Sequence, residues 1–407
     1  MISPFDLNLR HLEAAAAVAG MGGISAAALA VNLSQPALTQ GLGKLEARIG
    51  RRLFDRHAGG ASATPAGAIL AGRVERAVAL LDDASRQARR VKRLPALGPV
   101  ARHLTMTQLR AVTAVDRMGG YAAAAAATGV SQPALHNAVR DLEMMLGVAL
   151  LSREGRMVRA TPAARRFLRP ARLAISELQS ALDEIEALSA GGAGRVVVGA
   201  MPLARAALLP ATLARFARAF PLARVRVVEG PYAELLAGLC NGEIDCLIGA
   251  LRDPLLAPKV VQHPLFDDRL HVVCRTGHPL SGGGATIDQL AAHRWVMASP
   301  GAPLHARWRA MFETAGVAPP PVAVECGSVI AIRGLLLADD WLTVLSPDQF
   351  RIEERAGLLT RVGGPISGSE RSIGLTLRQD WQPTRLQQAF LDELKAQVAK
   401  TKHPQTQ

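Results

Sequence analysis

Aromatic residues are scarce: nine phenylalanines, four tryptophans and two tyrosines make up 4% of the 407 residues. Alanine is abundant instead, which favours helices packed closely through small side chains. Cysteine is equally rare. Cys240, Cys246, Cys274 and Cys326 all lie in the C-terminal half without CxxC spacing, so they read as small buried hydrophobes rather than as a metal site. No apolar run is long enough to span a bilayer, and Met1 to Arg10 has neither a basic start nor an apolar stretch with a cleavage site. A cytoplasmic protein with no membrane partner is expected. The chain also lacks a phosphate-binding loop, a nucleophile elbow and a histidine and carboxylate set at metal spacing. His263, His271 and His278 lie on or beside strand-like segments and read as core or surface residues, so neither an enzyme nor a cofactor is expected.

The length exceeds what one hydrophobic core normally supports, which points to two or three domains. The net charge is +13. Its distribution is uneven: residues 1–93 hold 13 basic and 7 acidic side chains, residues 94–190 hold 11 and 8, and residues 191–407 hold 23 and 19. The N-terminal stretch is the most basic for its length, which favours a polyanionic partner.

An internal repeat dominates the first half. Ser34-Gln35-Pro36-Ala37-Leu38 recurs 97 residues later as Ser131-Gln132-Pro133-Ala134-Leu135. Without a gap, the same offset pairs Leu12 with Leu109, Gly22-Gly23 with Gly119-Gly120, Leu45-Glu46 with Leu142-Glu143, Gly50 with Gly147, Arg56 with Arg153, and Thr64-Pro65 with Thr161-Pro162. Two copies are too few for a solenoid, so each is expected to be a compact domain of its own.

In the first copy, Leu9 to Ala19 reads as a helix, Gly22-Gly23 as a turn, and Ser25 to Val31 as a short helix capped by Ser25. Ser34 caps a third helix that tolerates Pro36 in its first turn. Leu38, Leu42, Leu45 and Ile49 face inward at helical spacing, leaving Gln35, Thr39, Gln40 and Lys44 to donate to base edges or phosphates. A basic stretch with Arg51, Arg52 and Arg56 leads into the glycine-rich His57 to Ala63, the pattern of a small β wing. A longer helix follows from Pro65 to about Arg93. Residues 94–103 read as a linker.

These residues resemble the LysR-type transcription regulators. The likeness rests on Ser34-Gln35-Pro36-Ala37-Leu38, Leu45-Glu46, Gly50, Leu53-Phe54-Asp55-Arg56 and Thr64-Pro65-Ala66-Gly67. It implies a winged helix-turn-helix that binds double-stranded DNA, a linker helix that builds a dimer, and an effector-binding domain. Family members usually carry one such unit, and the extra copy accounts for the extra length here. The fold class expected is therefore multidomain: two α-rich winged helix-turn-helix domains with linker helices (1–93 and 104–190), then an α/β periplasmic-binding-protein-like domain of two subdomains (195–400). Residues 401–407 read as a disordered tail. The second linker helix is expected from about Pro162 to Leu188, with Leu173, Leu178, Leu182 and Ile185 on its packing face.

The copies differ where DNA would be read. The first keeps Ser25, whose place in the family often touches a phosphate, where the second has Ala122. It carries Gly41 and Gly43 inside its recognition helix, each about 1 kcal/mol worse than alanine. It also lacks the basic wing that the second copy has as Arg153, Arg156 and Arg159. The second recognition face shows Gln132, Pro133, His136, Asn137 and Arg140 after the capping Ser131. Two readings stay open: both copies read DNA, or one has become a protein-contact module.

From Arg195 the pattern becomes strand and helix in alternation: Val196 to Ala200, a helix from about Leu203 to Phe220, Val225 to Glu229, and Ile244 to Ala250. That implies an open, largely parallel sheet with ligands beyond the C-terminal strand ends. By the resemblance, residues 195–265 and 346–400 form one subdomain and 266–345 the other. Candidate effector contacts are Met201, Pro202, Leu203, Gly230, Pro231, Ser299, Pro300, Gly301, Pro303, Ser328 and Ser346. The strings Val228-Glu229-Gly230-Pro231-Tyr232, His278-Pro279-Leu280 and Leu345-Ser346-Pro347-Asp348-Gln349 look most like the branch named for the galactose-binding-protein regulator, linked to sugar and aromatic-compound metabolism. The resemblance implies a small-molecule effector, a homodimer or homotetramer, and RNA polymerase as a partner if the protein is an activator.

Overall fold

The computed structural model describes residues 2–57, 60–155, 157–188, 193–255 and 257–402. Three helices, α1 (Leu9–Met21), α2 (Ile24–Ala30) and α3 (Gln35–Ile49), lead into a two-stranded antiparallel hairpin of β1 (Phe54–His57) and β2 (Gly60–Ala63), and then into the long α4 (Pro65–Arg90). The same order returns as α5 (Met106–Met118), α6 (Tyr121–Thr128), α7 (Gln132–Leu146), β3 (Leu151–Glu154), β4 (Met157–Ala160) and α8 (Pro162–Ala187). The caps explain the starts. Ser34 Oγ accepts from the Ala37 N–H at 3.3 Å and Ser131 Oγ from Ala134 at 3.4 Å, while Thr64 and Thr161 do the same for α4 and α8.

Two expectations fail in this half. The copies are not separate compact domains, because buried apolar side chains from Leu7 to Ile185 form one contiguous cluster. The cause is the apolar stripe on each long helix: α4 buries Val74, Ala77, Leu81, Ala84 and Ala88, α8 buries Ala171, Ala174, Leu178, Ala181 and Ile185, and the two helices cover one another. Residues 94–103 are also more than a linker. Val100 and Ala101 are buried in a short 3-10 turn, Val100–Arg102, and the Val100 N–H donates to Asp82 at 2.9 Å.

The C-terminal half holds two five-stranded sheets. The first is built from β5 (Gly194–Ala200), followed by α9 (Leu208–Ala219), β6 (Ala223–Val228), α10 (Tyr232–Cys240), β7 (Cys246–Ala250) and β8 (Val260–Asp268). The chain then crosses to the second, through β9 (His271–Arg275), α11 (Ile287–Ala291), β10 (Arg294–Met297), α12 (Pro303–Thr314), β11 (Val322–Glu325), α13 (Val329–Ala338), β12 (Trp341–Leu345), α14 (Pro347–Arg355) and β13 (Leu359–Arg361). It returns as β14 (Arg371–Arg378) and ends in α15 (Arg385–Lys402). Strand orders are β6-β5-β7-β14-β8 and β11-β10-β12-β9-β13. Helices cover both faces of the first sheet, α9 and α15 against Val196, Val198 and Ile248, and α10 against Val197 and Leu247. This is why its central strands read as unbroken apolar runs.

The sheets are mixed rather than largely parallel. β5 runs parallel to β6 and β7, but β14 is antiparallel to both β7 and β8, and β9 is antiparallel to β12 and β13. The return crossing also lies later than residue 346. Because β13 pairs with β9, residues 346–361 belong to the second sheet and the chain recrosses between β13 and β14. The first helix of this half starts at Leu208 rather than Leu203. α15 runs to Lys402, so the expected tail at 401 begins inside a helix, and residues 403–407 lie outside the described residues. Cys240, Cys246 and Cys274 are buried, whereas Cys326 is only half-buried. Burial pushes the Cys274 thiol up to about 11 and Cys246 further up.

One buried ion cluster ties α4 to the rest. Arg73 reaches Glu177 at 3.0 Å, Glu184 at 3.1 Å and the Gln382 carbonyl at 2.9 Å, while Arg76 also pairs with Glu177 at 2.9 Å. Removing one partner of a buried pair leaves the other charge uncompensated. Arg73→Ala is expected to cost about 3 kcal/mol, at the low end for buried pairs because Arg76 remains on Glu177. A lowered urea midpoint in far-UV circular dichroism checks this, and an unchanged midpoint contradicts it.

Candidate nucleic-acid interface and effector cleft

The two recognition helices turn their polar residues outward. On α3, Gln35, Pro36, Gln40 and Lys44 are exposed and Thr39 is half-buried; on α7, Gln132, Pro133, His136, Asn137 and Arg140 are exposed. Their inner faces are Leu38, Leu42, Leu45 and Ile49, and Leu135, Val139, Leu142 and Leu146. His136 does not stand free: its ring lies 4.9 Å from that of Tyr121 on α6. Ser25 is not a cap. α2 starts one residue earlier with Gly23 as N-cap, and α6 starts likewise from Gly120, neither with a side-chain cap bond. The Ser25 to Ala122 difference therefore leaves the helix starts alike, although Ser25 remains exposed toward solvent.

Each wing is braced against its recognition helix by a residue that the sequence reading quoted only as part of a motif. Glu46 Oε1 accepts the N–H groups of Leu53 at 2.7 Å and Phe54 at 3.3 Å; Glu143 Oε1 accepts those of Leu150 at 2.6 Å and Leu151 at 2.9 Å. A carboxylate bonded to two backbone donors fixes where the hairpin begins. At the other end, Thr64 Oγ1 donates to the Arg52 carbonyl at 2.9 Å and Thr161 Oγ1 to that of Ala149 at 2.8 Å. The second strand is pinned to the first turn as well, since the Ala61 and Val158 N–H groups donate to the carbonyls of Gly22 and Gly119. Those glycines sit at φ 67° and 68°, a left-handed conformation that favours glycine. The gap-free recurrence of Leu-Glu and Thr-Pro was the readable signal of this brace.

The wing arginines are partly committed. Arg159 pairs with Glu154 at 3.0 Å, and Arg153 Nε donates to the Gly155 carbonyl at 3.2 Å. Both remain exposed, as do Arg51 and Arg52. Arg156 lies outside the described residues, and of Arg56 only the backbone, in β1, is described.

Gly41 has a packing reason for being glycine. A Cβ there would stand 2.9 Å from His11 Cδ2 on α1, whereas a Cβ on Gly43 would meet nothing within 4 Å. Burial first, then Lys44 and Arg10, hold the His11 pKa below its ordinary value, so the ring beside the recognition helix is neutral at pH 7.

In the C-terminal half, the candidate effector residues fall at the strand ends where ligands of such sheets bind. Met201 and Pro202 follow β5 half-buried, and Gly230 and Pro231 follow β6 exposed. In the second sheet, Ser299, Pro300 and Gly301 lie exposed between β10 and α12, Pro303 is the exposed first residue of α12, and Ser328 caps α13 by accepting from Ala331 at 3.4 Å. Leu203 and Ser346 do not belong. Leu203 is buried in the core, and Ser346 is fully buried, its hydroxyl donating to Asp268 at 2.5 Å while Asp268 also holds Arg371 at 2.7 Å. Ser346 is thus part of the clasp between the sheets. Two further pairs at the same strand ends were not among the candidate contacts: Arg205 with Glu229, and Tyr232, whose ring carries the Arg252 guanidinium at 4.8 Å.

Two family profiles match this chain. "Bacterial regulatory helix-turn-helix protein, lysR family" matches residues 9–68 and again 106–165, and "LysR substrate binding domain" matches residues 189–399. This chain belongs to the LysR family. It is a DNA-binding transcription regulator that responds to a small-molecule effector, not an enzyme. Among LysR relatives, the transcriptional regulator GalR of Pseudomonas putida is 33% identical over 375 residues, covering 91% of this chain and 92% of that one. The uncovered remainder is shorter than one N-terminal unit, so the match extends into both. GbpR of Azospirillum brasilense is 30% identical over 256 residues, 62% of this chain and 75% of that one. Among solved structures, CbnR has a TM-score of 0.50 at 22% identity, covering 72% of this chain but 98% of its own, and ArgP of Mycobacterium tuberculosis has 0.56 at 18%, covering 72% and 96%. Both share the fold and lack the length of one unit. That both units match one DNA-binding profile gives no support to a protein-contact role for either. Among the described residues, no helix is long and apolar enough to cross a membrane.

The two glycines of α3 separate packing from propensity. Gly43→Ala is expected to raise stability by about 1 kcal/mol. Gly41→Ala is expected to gain nothing or to lose, because His11 must move. Thermal melts of the two variants side by side check this, and equal gains would refute the packing argument.

Proposed function

We propose that the chain is a tandem LysR-type regulator in which both winged helix-turn-helix units, about 1–93 and 104–190, read double-stranded DNA, and in which residues from about 195 onward sense the effector. The observation that carries this reading is the sameness of the two supports: matching serine caps, matching carboxylate braces under the wings, and recognition faces exposed on both helices apart from the half-buried Thr39. The faces themselves differ. Gln35, Thr39, Gln40 and Lys44 offer two amides, a hydroxyl and an ammonium; Gln132, His136, Asn137 and Arg140 offer two amides, an imidazole and a guanidinium. Amides suit adenine and a guanidinium suits guanine in the major groove, so the units have different preferences. Ser25, Ser34, Pro36, Ser131 and Pro133 at the helix starts, with Arg52, Arg56, Arg153, Arg156 and Arg159 beside or on the wings, serve the phosphates.

The effector would enter between the two sheets, which form two subdomains joined at the Asp268, Ser346 and Arg371 clasp. Met201, Pro202, Gly230, Pro231, Ser299 to Gly301, Pro303 and Ser328 would line it, and Arg205, Tyr232 and Arg252 would add cationic and phenolic groups. Closure around the ligand would bias the DNA-bound state through its differential affinity for the two arrangements. Such a protein works in the cytoplasm as part of a homo-oligomer, with RNA polymerase as a partner if it activates.

Footprinting tests the two readers. Paired substitutions Gln40→Ala with Lys44→Ala, and Asn137→Ala with Arg140→Ala, are each expected to shorten protection on a different side and to weaken binding by about 1–3 kcal/mol per lost base contact. The affinity of the intact protein should fall steeply with salt, as phosphate neutralisation requires. An unchanged footprint for either pair removes that copy as a reader.

A further inference from the structure

A shift of 97 residues converts several of the contacts between the two units into their reciprocals, although the Arg73, Arg76, Glu177 and Glu184 cluster has no charged counterpart at Pro170, Leu173, Leu80 and Gln87. The N-terminal turn Pro4–Asp6 packs on α5 and α8, and the corresponding turn Val100–Arg102 packs on α1 and α4. Near the end of α4, Arg89 donates to the carbonyl of Leu146, the last residue of α7, at 2.6 Å. Near the end of α8, Ile185 and Glu186 share a pocket with Ile49 and Gly50, where α3 ends. Arg89 and Glu186 are equivalent positions of the repeat, as are Leu146 and Ile49. Midway, Arg73 and Arg76 from the first half of α4 meet Glu177 and Glu184 from the second half of α8, so the helices run antiparallel. Their buried stripes occupy the same repeat positions: Val74 and Ala171, Ala77 and Ala174, Leu81 and Leu178, Ala84 and Ala181, Ala88 and Ile185. Residue i meeting j while j meets i is the signature of a two-fold interface between identical subunits. Here both sides belong to one chain.

We infer that a single chain supplies a complete two-headed DNA-binding unit, in which α4 stands in for a partner's linker helix, and that its heads read two inverted but dissimilar half-sites. The inference rests on the reading that both units bind DNA. The face of α8 that would otherwise dimerise is covered by α4. Other faces of α8 meet the effector half, through Asp183 with Arg195 at 3.5 Å and through Arg169, which donates to the Pro258 carbonyl at 3.3 Å. Self-association therefore uses surfaces other than this helix pair. A helix of 26 residues is about 39 Å long. With one head at each end of the pair, the half-sites are expected about one to two turns of duplex apart. Once one head is bound, the second binds as an intramolecular event at high effective concentration, independent of how much protein is present.

The experiment uses the full-length protein and duplexes that it selects from a random-sequence pool. The expected motif is an inverted pair of half-sites with different sequences, bound by one chain per pair in native mass spectrometry. Gln40→Ala with Lys44→Ala should relax one half of the motif, and Asn137→Ala with Arg140→Ala the other, each weakening binding about tenfold or more. All four side chains are exposed, and circular dichroism melts verify that the variants fold. The two paired variants are then co-expressed. Heads joined within a chain predict that no mixed species regains the affinity of the intact protein. Recovery of that affinity, or two chains on one half-site pair, means that heads pair between chains and overturns the inference while leaving both units as readers. Loss of sequence dependence at only one half in every variant would instead remove one reader and the inference with it.

Discussion

The packing of α4 against α8 is the contact on which the rest of the molecule depends. Neither helix could stand alone in water with its alanine and leucine stripe exposed, and α1 of the first unit packs along α4. Small side chains let the backbones approach, and the Arg73, Arg76, Glu177 and Glu184 cluster sets the register along the pair, because a guanidinium buried without its carboxylates is costly. The Gln382 carbonyl on Arg73 extends that register into the effector half. The helix pair is thus joined to the first sheet's half through the segment between β14 and α15.

Much of this was legible in the residues. The gap-free repeat placed both helix-turn-helix units and both wings, and the inward leucines of α3 and α7 are where their spacing put them. What a repeat does not carry is how its copies meet: Leu7 to Ile185 share one core because of a contact between elements some hundred residues apart, and no local pattern announces it. Ser25 was misplaced as a cap because a serine near a helix start is usually one, whereas here Gly22 and Gly23 bend the chain so that the helix begins at Ile24.

The effector half shows the same division. Unbroken apolar runs identified the central strands, and the candidate effector residues were taken from the segments that follow their C-terminal ends. The return crossing was displaced because Ser346 and Gln349 form a capping box that resembles a boundary, while the three residues of β13 are too few to announce a strand that prolongs the second sheet. Tyr232 and Arg252 lie far apart in sequence, so their cation and ring contact became visible only in the fold.

The reciprocity of the helix pair bears on how such a regulator changes over time. In a homodimer each substitution in a recognition helix appears twice, and a promoter must acquire two matching alterations to follow it. A covalent pair is free of that constraint. The two recognition faces differ, with Gly43 in one where the other has Arg140 and Thr39 where it has His136, while the buried stripes of α4 and α8 occupy the same repeat positions. Divergence then falls on the exposed recognition faces and on the ion cluster, whose repeat equivalents are Pro170, Leu173, Leu80 and Gln87, while the apolar stripe keeps its positions on both helices.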